Sequence, residues 1–308
     1  MKILITGGAG TLGSSLIEKF IPENHSVAII DNFATGNKEV VPHNINNLNL
    51  FEGDIADQNL INDVVSKFKP ELIIHSAASY KDPNDWIEDC STNVIGSVNL
   101  AKAAIKYGVK KIINFQTALC YGVPEEIPIS ENAPTNPITS YGISKTAGEQ
   151  FLIHSDLNVI SLRLANICGP RLAIGPIPTF YKRLQEGKSC FCTDSYRDFI
   201  HMDDFLRLID IIINGEFQTG VYNVSSGEAH SVKEIYDEVL NHLGIEDKGV
   251  EIVPVNSDDI QTVVLNPALT LKTFGWKTEV DFKSTIKKQL IWYDNYGVSK
   301  IYSHLAKK

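Results

Sequence analysis

The stretch ILITGGAGTLGSSLI, residues 3–17, constrains what the front of this chain can become. Gly7, Gly10 and Gly13 fall three residues apart, between an apolar run of strand type and one with helical spacing. Glycine tolerates the tight turn and lets backbone N–H groups approach a pyrophosphate, which then sits at the helix N-terminus. Glycines alone are weak evidence, because turns use them everywhere. Here Asp31 ends the next strand-like run, 18 residues after Gly13, where a carboxylate accepts hydrogen bonds from an adenosine ribose. The combination predicts a dinucleotide site. The same carboxylate repels a 2′-phosphate, and the following NFATGNK offers only Lys38, so NAD is expected rather than NADP. Asp54, in EGDIAD after another strand-like run, suits either the adenine amino group or the N-cap of the next helix.

Strand-like runs at residues 2–6, 25–31, 72–78, 110–116 and 158–164 alternate with helical spacing at 12–20, 57–68, 93–107 and 141–154. Such alternation implies right-handed crossovers and a parallel sheet covered on both faces. The fold class is therefore α/β, a Rossmann-type doubly wound parallel sheet. After Asn166 the pattern loosens into a smaller mixed C-terminal lobe. GPRLAIGPIPT (169–179) reads as a Pro/Gly-rich loop, 203–213 as a helix, 220–226 as a strand and turn, and 231–244 as a helix opened by Ser231 and Glu234 at capping-box spacing. The expected division is 1–166 for the cofactor and 167–308 for the substrate, with part of 198–226 returning to the first domain.

Asp plus Glu total 37 against 28 Lys plus Arg, a net charge of −9, which argues against a nucleic-acid or anionic-membrane surface. No apolar run approaches the ~18 residues of a membrane span, and Met1 leads almost at once into the glycine turn, so neither a span nor a signal peptide is expected. The five cysteines are odd in number and unpatterned, with no His cluster beside Cys190 and Cys192. That reads as reduced cytoplasmic thiols, without a metal site.

FQTALCYG (115–122) and YGISK (141–145) hold a hydroxyl, phenols and an amine, but no carboxylate. Tyr-x-x-x-Lys occurs three times, at Tyr107/Lys111, Tyr141/Lys145 and Tyr296/Lys300. Position separates them, because ligands of an open α/β sheet lie at the carboxyl ends of its strands. Tyr107 ends a helix at the opposite edge, and Tyr296 follows the helix-like 281–294, in the tail. Tyr141 follows a loop from the right edge and shares a helical face with Lys145. An ammonium beside a phenol lowers its pKa from about 10, so Tyr141 is expected to take a proton from an alcohol while the cofactor takes the hydride. Thr117 would orient the substrate oxygen, or else be a satisfied strand-end hydroxyl. Cys120 reads as packing, with no recognisable base beside it.

With TGGAGTLG, the acidic ribose partner and YGISK, the chain resembles the extended short-chain dehydrogenases, and within them the NAD-dependent nucleotide-sugar epimerase/dehydratase family. HSAAS (75–79), TNVIGSVNLAKAA (92–104), RLANICGPR (163–171), RDFIHMDD (197–204) and VYNVSSGE (221–228) stand in the family's order. The likeness is strongest to bacterial enzymes making O-antigen sugar precursors. It implies Tyr141, Lys145 and Thr117 as the catalytic set. It implies an NAD site lined by Gly7, Gly10, Thr11, Leu12, Gly13, Asp31, Asn32, Asp54, Ile55, Ala77, Ala78 and Asn93, with Tyr141 and Lys145. Tyr80, Thr117, Asn166 and Arg197 would contact the sugar nucleotide. Asn93 could instead cap the helix it heads, and Arg197 could instead pair with Asp198.

Family dehydratases carry an Asp–Glu pair just after the Thr, where this chain has Ala118 and Leu119. A second family feature, an Arg before the acidic pair in NSDDIQTVVLN (256–266), is also missing, leaving Lys182, Arg183 and Arg171 as substitutes. The expected activity is epimerisation, at carbon 4 of a UDP-hexose or derivative. The alternatives are a nucleotide-sugar dehydrogenase or reductase, a 4,6-dehydratase, and an NAD-sensing regulator. Surplus apolar residues on 93–107 and 141–154 suggest a homodimer.

Overall fold

The computed structural model describes residues 1–43, 45–256 and 259–298. In chain order the first elements are β1 (Lys2–Thr6), α1 (Thr11–Phe20), β2 (Ser26–Asp31), β3 (Leu48–Glu52), α2 (Gln58–Phe68) and β4 (Leu72–His75). A short α3 (Trp86–Asp89) runs through a π-helical turn, Cys90–Ile95, into α4 (Gly96–Tyr107). Then come β5 (Lys111–Thr117), α5 (Ser140–Ile153) and β6 (Asn158–Leu164). Next are β7 (Asn166–Cys168), α6 (Pro176–Gln185), β8 (Phe191–Thr193), β9 (Tyr196–Arg197), β10 (Phe199–His201), α7 (Met202–Asn214) and β11 (Gly220–Val224). The last are β12 (His230–Ser231), α8 (Val232–Leu243), β13 (Glu251–Val253), β14 (Thr262–Val263), α9 (Ala268–Phe274) and α10 (Phe282–Tyr296).

Seven strands form one sheet in the order β11-β6-β5-β4-β1-β2-β3, and the pairings from β3 to β5 are parallel. The chain leaves β1 toward β2 and β3, then returns to β4 on the other side. That reversal opens a crevice at the carboxyl ends of β1 and β4, where such sheets bind ligands. The central strands are continuous apolar runs because both faces are covered: Ile3, Leu4, Ile5, Val27, Ala28, Ile29 and Ile30 are all fully buried. Leu4, Ala28, Ile30, Ile73 and Ile112 pack with Ile61, Val64 and Leu100 in one cluster.

The described residues divide into two compact units. The first holds Met1–Cys120, Thr135–Arg163 and Glu216–Tyr222. The second holds Tyr121–Pro134, Leu164–Gly215 and the chain from Asn223 on. Its core gathers Ile177, Phe180 and Tyr181 of α6, Ile235 and Val239 of α8, and Ile286 and Leu290 of α10. Ser231 and Glu234 form the full capping box of α8.

The structure corrects several readings. The Pro/Gly loop stops early, because α6 begins at Pro176, in the first turn of a helix, where a missing N–H costs nothing. The expected helix at 93–107 begins earlier, at Trp86, through the π turn. Tyr296 is the last residue of α10 rather than tail, while its partner Lys300 lies outside the described residues. Among the described residues no helix is long and apolar enough to cross a membrane.

Gly13 is the tightest point of the first turn: a Cβ there would lie 2.2 Å from the Gly7 carbonyl oxygen and 2.7 Å from the Gly8 Cα. Both obstacles are backbone, so neither can rotate away. Gly13→Ala is expected to cost about 1–3 kcal/mol by overpacking, seen as a lower urea midpoint, and to weaken NAD binding measured by calorimetry.

Candidate active site

Asp31 organises the glycine turn. Its two oxygens accept from the backbone N–H groups of Ala9 (2.8 Å) and Phe33 (2.8 Å), and burial pushes its carboxyl up against those bonds. Each oxygen retains a second lone pair for a ribose hydroxyl. α1 starts behind Gly10 with no capping side chain and no acid in its first turn, so a pyrophosphate suits the end of its dipole. Asn32 donates to Asp54 (2.8 Å), whose other oxygen accepts from Ala56 N. Asp54 is therefore not the N-cap of α2; Asp57 is, accepting from Asn59 and Leu60 N. Lys38 is already paired with Glu52, which leaves no uncommitted cation in that loop for a 2′-phosphate. These residues fit NAD.

At the crevice, Thr6 Oγ1 accepts from Ala77 N (3.2 Å) and meets His75 Nδ1 (2.8 Å). Ser97 spends its proton on the Asn93 carbonyl (2.7 Å), so its oxygen accepts from His75 Nε2 (3.0 Å). The ring is thereby fixed as the Nε2–H tautomer. Burial, aided by the Lys145 charge, pushes His75 well below its usual range, so it stays neutral.

Asn93 does not cap a helix. It lies inside the π turn, bonds both Ser79 N (2.9 Å) and Ser79 O (3.0 Å), and donates to Ser144 Oγ (2.9 Å). One amide thus ties the loop after β4 to the helix that carries the phenol. Gln116, missed in the sequence, does the same for β5: it accepts from Thr117 N (2.8 Å) and donates to the Lys145 carbonyl (2.9 Å). Its only sequence signal is its place beside Thr117 at a strand end.

Tyr141, Lys145 and Thr117 are brought together. The Thr117 side chain is near enough to the Tyr141 phenol to favour its ionised form, while the Thr117 oxygen accepts from Leu119 N (3.2 Å). Tyr80 meets the Tyr141 ring edge-on, with centroids 6.0 Å apart. Lys145 is buried, 4% exposed, and burial lowers its ammonium to about 8, opposed by Glu149. Glu149 is itself locked to Arg163 (2.8 Å) and Ser161 (2.6 Å). The expectation that the ammonium lowers the phenol's pKa is overturned: burial, with Tyr80 and Asp89 adding to it, pushes Tyr141 up. Asp89 is thus a carboxylate beside the phenol, coming from α3 rather than from either motif. Cys120 is fully buried, its thiol pushed up to about 12. β5 ends at Thr117 and residues 118–121 form a 3₁₀ turn, so strand alternation does not set where Cys120 faces.

In the second unit, exposed Asn166 donates through its backbone and its side chain to the Asp198 carbonyl (both 3.0 Å). Arg197 pairs with Asp259 (2.6 Å), not Asp198, and also donates to the carbonyls of Tyr196 and Gln261. Asp198 is occupied by Ser226 and Gly227. Among the proposed substitutes, Arg183 is spent on the Ser189 carbonyl. Among the described residues no group of three or more His, Cys, Asp or Glu could hold a metal ion.

A glycine turn with an acidic strand end, facing a Tyr-x-x-x-Lys pair and a strand-end hydroxyl, defines a nucleotide-linked oxidoreduction site of the short-chain dehydrogenase type. Residues 3–225 match the model of the NAD dependent epimerase/dehydratase family, and the chain belongs to it. It is 30% identical over 316 residues to the UDP-glucose 4-epimerase of Mycolicibacterium smegmatis, covering 96% of this chain and 99% of that one. The structure of the Bordetella bronchiseptica enzyme WbmG in complex with NAD and UDP is similar at TM-score 0.94 and 56% identity, over 99% of both chains. That of B. bronchiseptica WbmH in complex with NAD+ is similar at 0.90 and 39%, over 96% of this chain and 99% of that one.

Burying Lys145 charged costs stability that leaving it unprotonated would not. Its folded pKa of about 8 lies below the ordinary 10.5, so the unfolded chain binds more protons between those values and stability rises with pH across them. Lys145→Met is expected to be more stable than the wild type at pH 7 by about 1–3 kcal/mol. In urea melts that advantage should shrink as pH rises toward 10.

Proposed function

We propose that the protein is an NAD-dependent nucleotide-sugar epimerase that inverts carbon 4 of a UDP-hexose or a derivative through a transient 4-keto sugar. The observation that carries this reading is a complete Tyr141–Lys145–Thr117 set beside Ala118 and Leu119. Bound NAD supplies reversible hydride exchange at the carbinol carbon. The chain does the rest: Tyr141 takes the hydroxyl proton and later returns it, and Thr117, near that phenol, holds the sugar oxygen in line with it. Lys145, dry and with its carbonyl held by Gln116, steadies the nicotinamide ribose. Once the keto sugar has turned over, return of the hydride to its other face together with the proton from Tyr141 would complete the inversion without an external reductant.

The NAD contacts would be made by Gly7, Gly10, Thr11, Leu12, Gly13, Asp31, Asn32, Asp54, Ile55, Ala77, Ala78 and Asn93. Tyr80 would meet the sugar, and Asn166 and Arg197 the diphosphate, Arg197 with the donors it does not spend on Asp259 and its carbonyl partners. Residues 1–166 would then serve the cofactor and 167–308 the sugar nucleotide, part of 198–226 returning. The similarity to a UDP-glucose 4-epimerase and to a UDP-bound enzyme supports a UDP-sugar. The likeness to O-antigen precursor enzymes supports a cytoplasmic role in lipopolysaccharide synthesis. A homodimer is supported by the outer faces of the helical stretch before β5 and of α5, where Ile95, Ile105, Ile143 and Phe151 are each at least half exposed.

Tyr141→Phe keeps the ring and removes the proton carrier, so turnover should fall about 100-fold or more while NAD remains bound; near-normal turnover would remove Tyr141 from the mechanism. Incubation with UDP-hexoses, read by NMR and mass spectrometry, should give the C4 epimer. Loss of water from the sugar would overturn the assignment, since neither a methyl nor an isobutyl group can donate or accept the protons that dehydration needs.

A further inference from the structure

Asn99, on α4, spends its side chain outside its own helix. It is 6% exposed, and its amide nitrogen donates to two consecutive carbonyls of the loop between β3 and α2, those of Ile55 (3.1 Å) and Ala56 (2.8 Å). Gly96, one turn earlier on α4, lets that loop come so close, because a Cβ there would lie 2.4 Å from Ile55 Cδ1. In a trans peptide the C=O and the following N–H point in opposite directions. Holding the Ile55 carbonyl therefore aims the Ala56 N–H away from α4, and it donates to Asp54 Oδ1 (2.8 Å). Holding the Ala56 carbonyl does the same for the Asp57 N–H, which donates to the Asp54 carbonyl (3.1 Å). Two rigid planes thus run from one amide to one residue.

We infer that Asn99 is a positioning residue for Asp54: through the two peptide planes that follow Ile55 and Ala56, it fixes the Asp54 carboxylate where the adenine amino group of NAD would meet it. The inference rests on Asp54 lying in the NAD site proposed above. An Asp side chain closes a short turn onto the N–H two residues later unaided. What such a turn lacks by itself is an anchor to the rest of the molecule. Asn99 supplies that anchor from α4, and Asn32 holds the other oxygen, Oδ2, from the loop after β2 (2.8 Å). The carboxylate is tied from two sides, and each oxygen keeps a lone pair for a further donor. Because a carboxylate only accepts, it favours the amino group of adenine and repels the carbonyl oxygen that hypoxanthine carries at the same place. A carboxylate held still discriminates between the two bases; one free to turn aside does not.

The test is the ratio of dissociation constants for nicotinamide hypoxanthine dinucleotide and NAD, measured by calorimetry on the full chain freed of bound nucleotide. The wild type should favour NAD by about tenfold or more. Asn99→Ala should lower that preference several-fold, chiefly by weakening NAD. A merely structural role would weaken both dinucleotides by one factor, so an unchanged ratio would overturn the inference. In an Asp54→Ala background the preference should already be small, and adding Asn99→Ala should change it no further. A further fall there would show Asn99 acting by another route and would overturn the inference as well. Should Asn99→Ala fail to fold, Asn99→Ser, which keeps one donor, carries the same outcomes with a smaller fall. The premise is tested separately: a wild type without the preference, or an Asp54→Ala variant that keeps it, removes Asp54 from the adenine and the inference with it, while NAD binding itself stands.

Discussion

A single carboxylate closes the front of this molecule. Asp31, at the end of β2, holds the N–H groups of Ala9 in one turn and Phe33 in the next. Two loops that leave neighbouring strands are thereby locked at the same edge of the sheet. That lock leaves the start of α1 unblocked, and it sets a negative charge where a ribose would lie. The bonds resist the rise that burial alone would impose on Asp31, so the same contacts that shape the turn keep its charge.

Beyond that edge the site is assembled by amide and hydroxyl groups rather than by charges. Asn93 joins the β4 loop to α5, Gln116 joins β5 to α5, and the Thr6–His75–Ser97 chain joins β1, β4 and α4. Buried networks of this kind are rigid only when every member is satisfied, and these three are. The buried carboxylate on the lysine side is balanced as well: Glu149 is neutralised by Arg163.

The sheet was legible because its strands are buried on both faces and so appear as unbroken apolar runs; residues 158–164 are a strand from end to end. The turn and the Tyr141/Lys145 pair were legible because their geometry is local. What escaped was non-local. In NDWIEDC nothing separates buried Asp89 from exposed Asp85 or half-buried Glu88, since burial is decided by α5, some fifty residues later in the chain. The alternative partner offered for Arg197 was its sequence neighbour Asp198, yet the carboxylate it pairs with, Asp259, lies 62 residues away. A cap was offered as the alternative for Asn93 because the π turn that contains it breaks the ordinary helical period, hiding the true start at Trp86.

The segment Glu216–Tyr222 belongs to the first unit although two segments of the second, Tyr121–Pro134 and Leu164–Gly215, precede it in the chain, and β11 is the neighbour of β6 at the sheet's edge. On the ribosome, therefore, β6 emerges long before the strand that covers it. A growing chain carries an open, apolar edge through the synthesis of some fifty further residues. Such an edge invites pairing with a neighbouring nascent chain, and a chaperone that shields it would have its main work during that interval. The same threading means that the first unit cannot be lifted out as one continuous gene fragment.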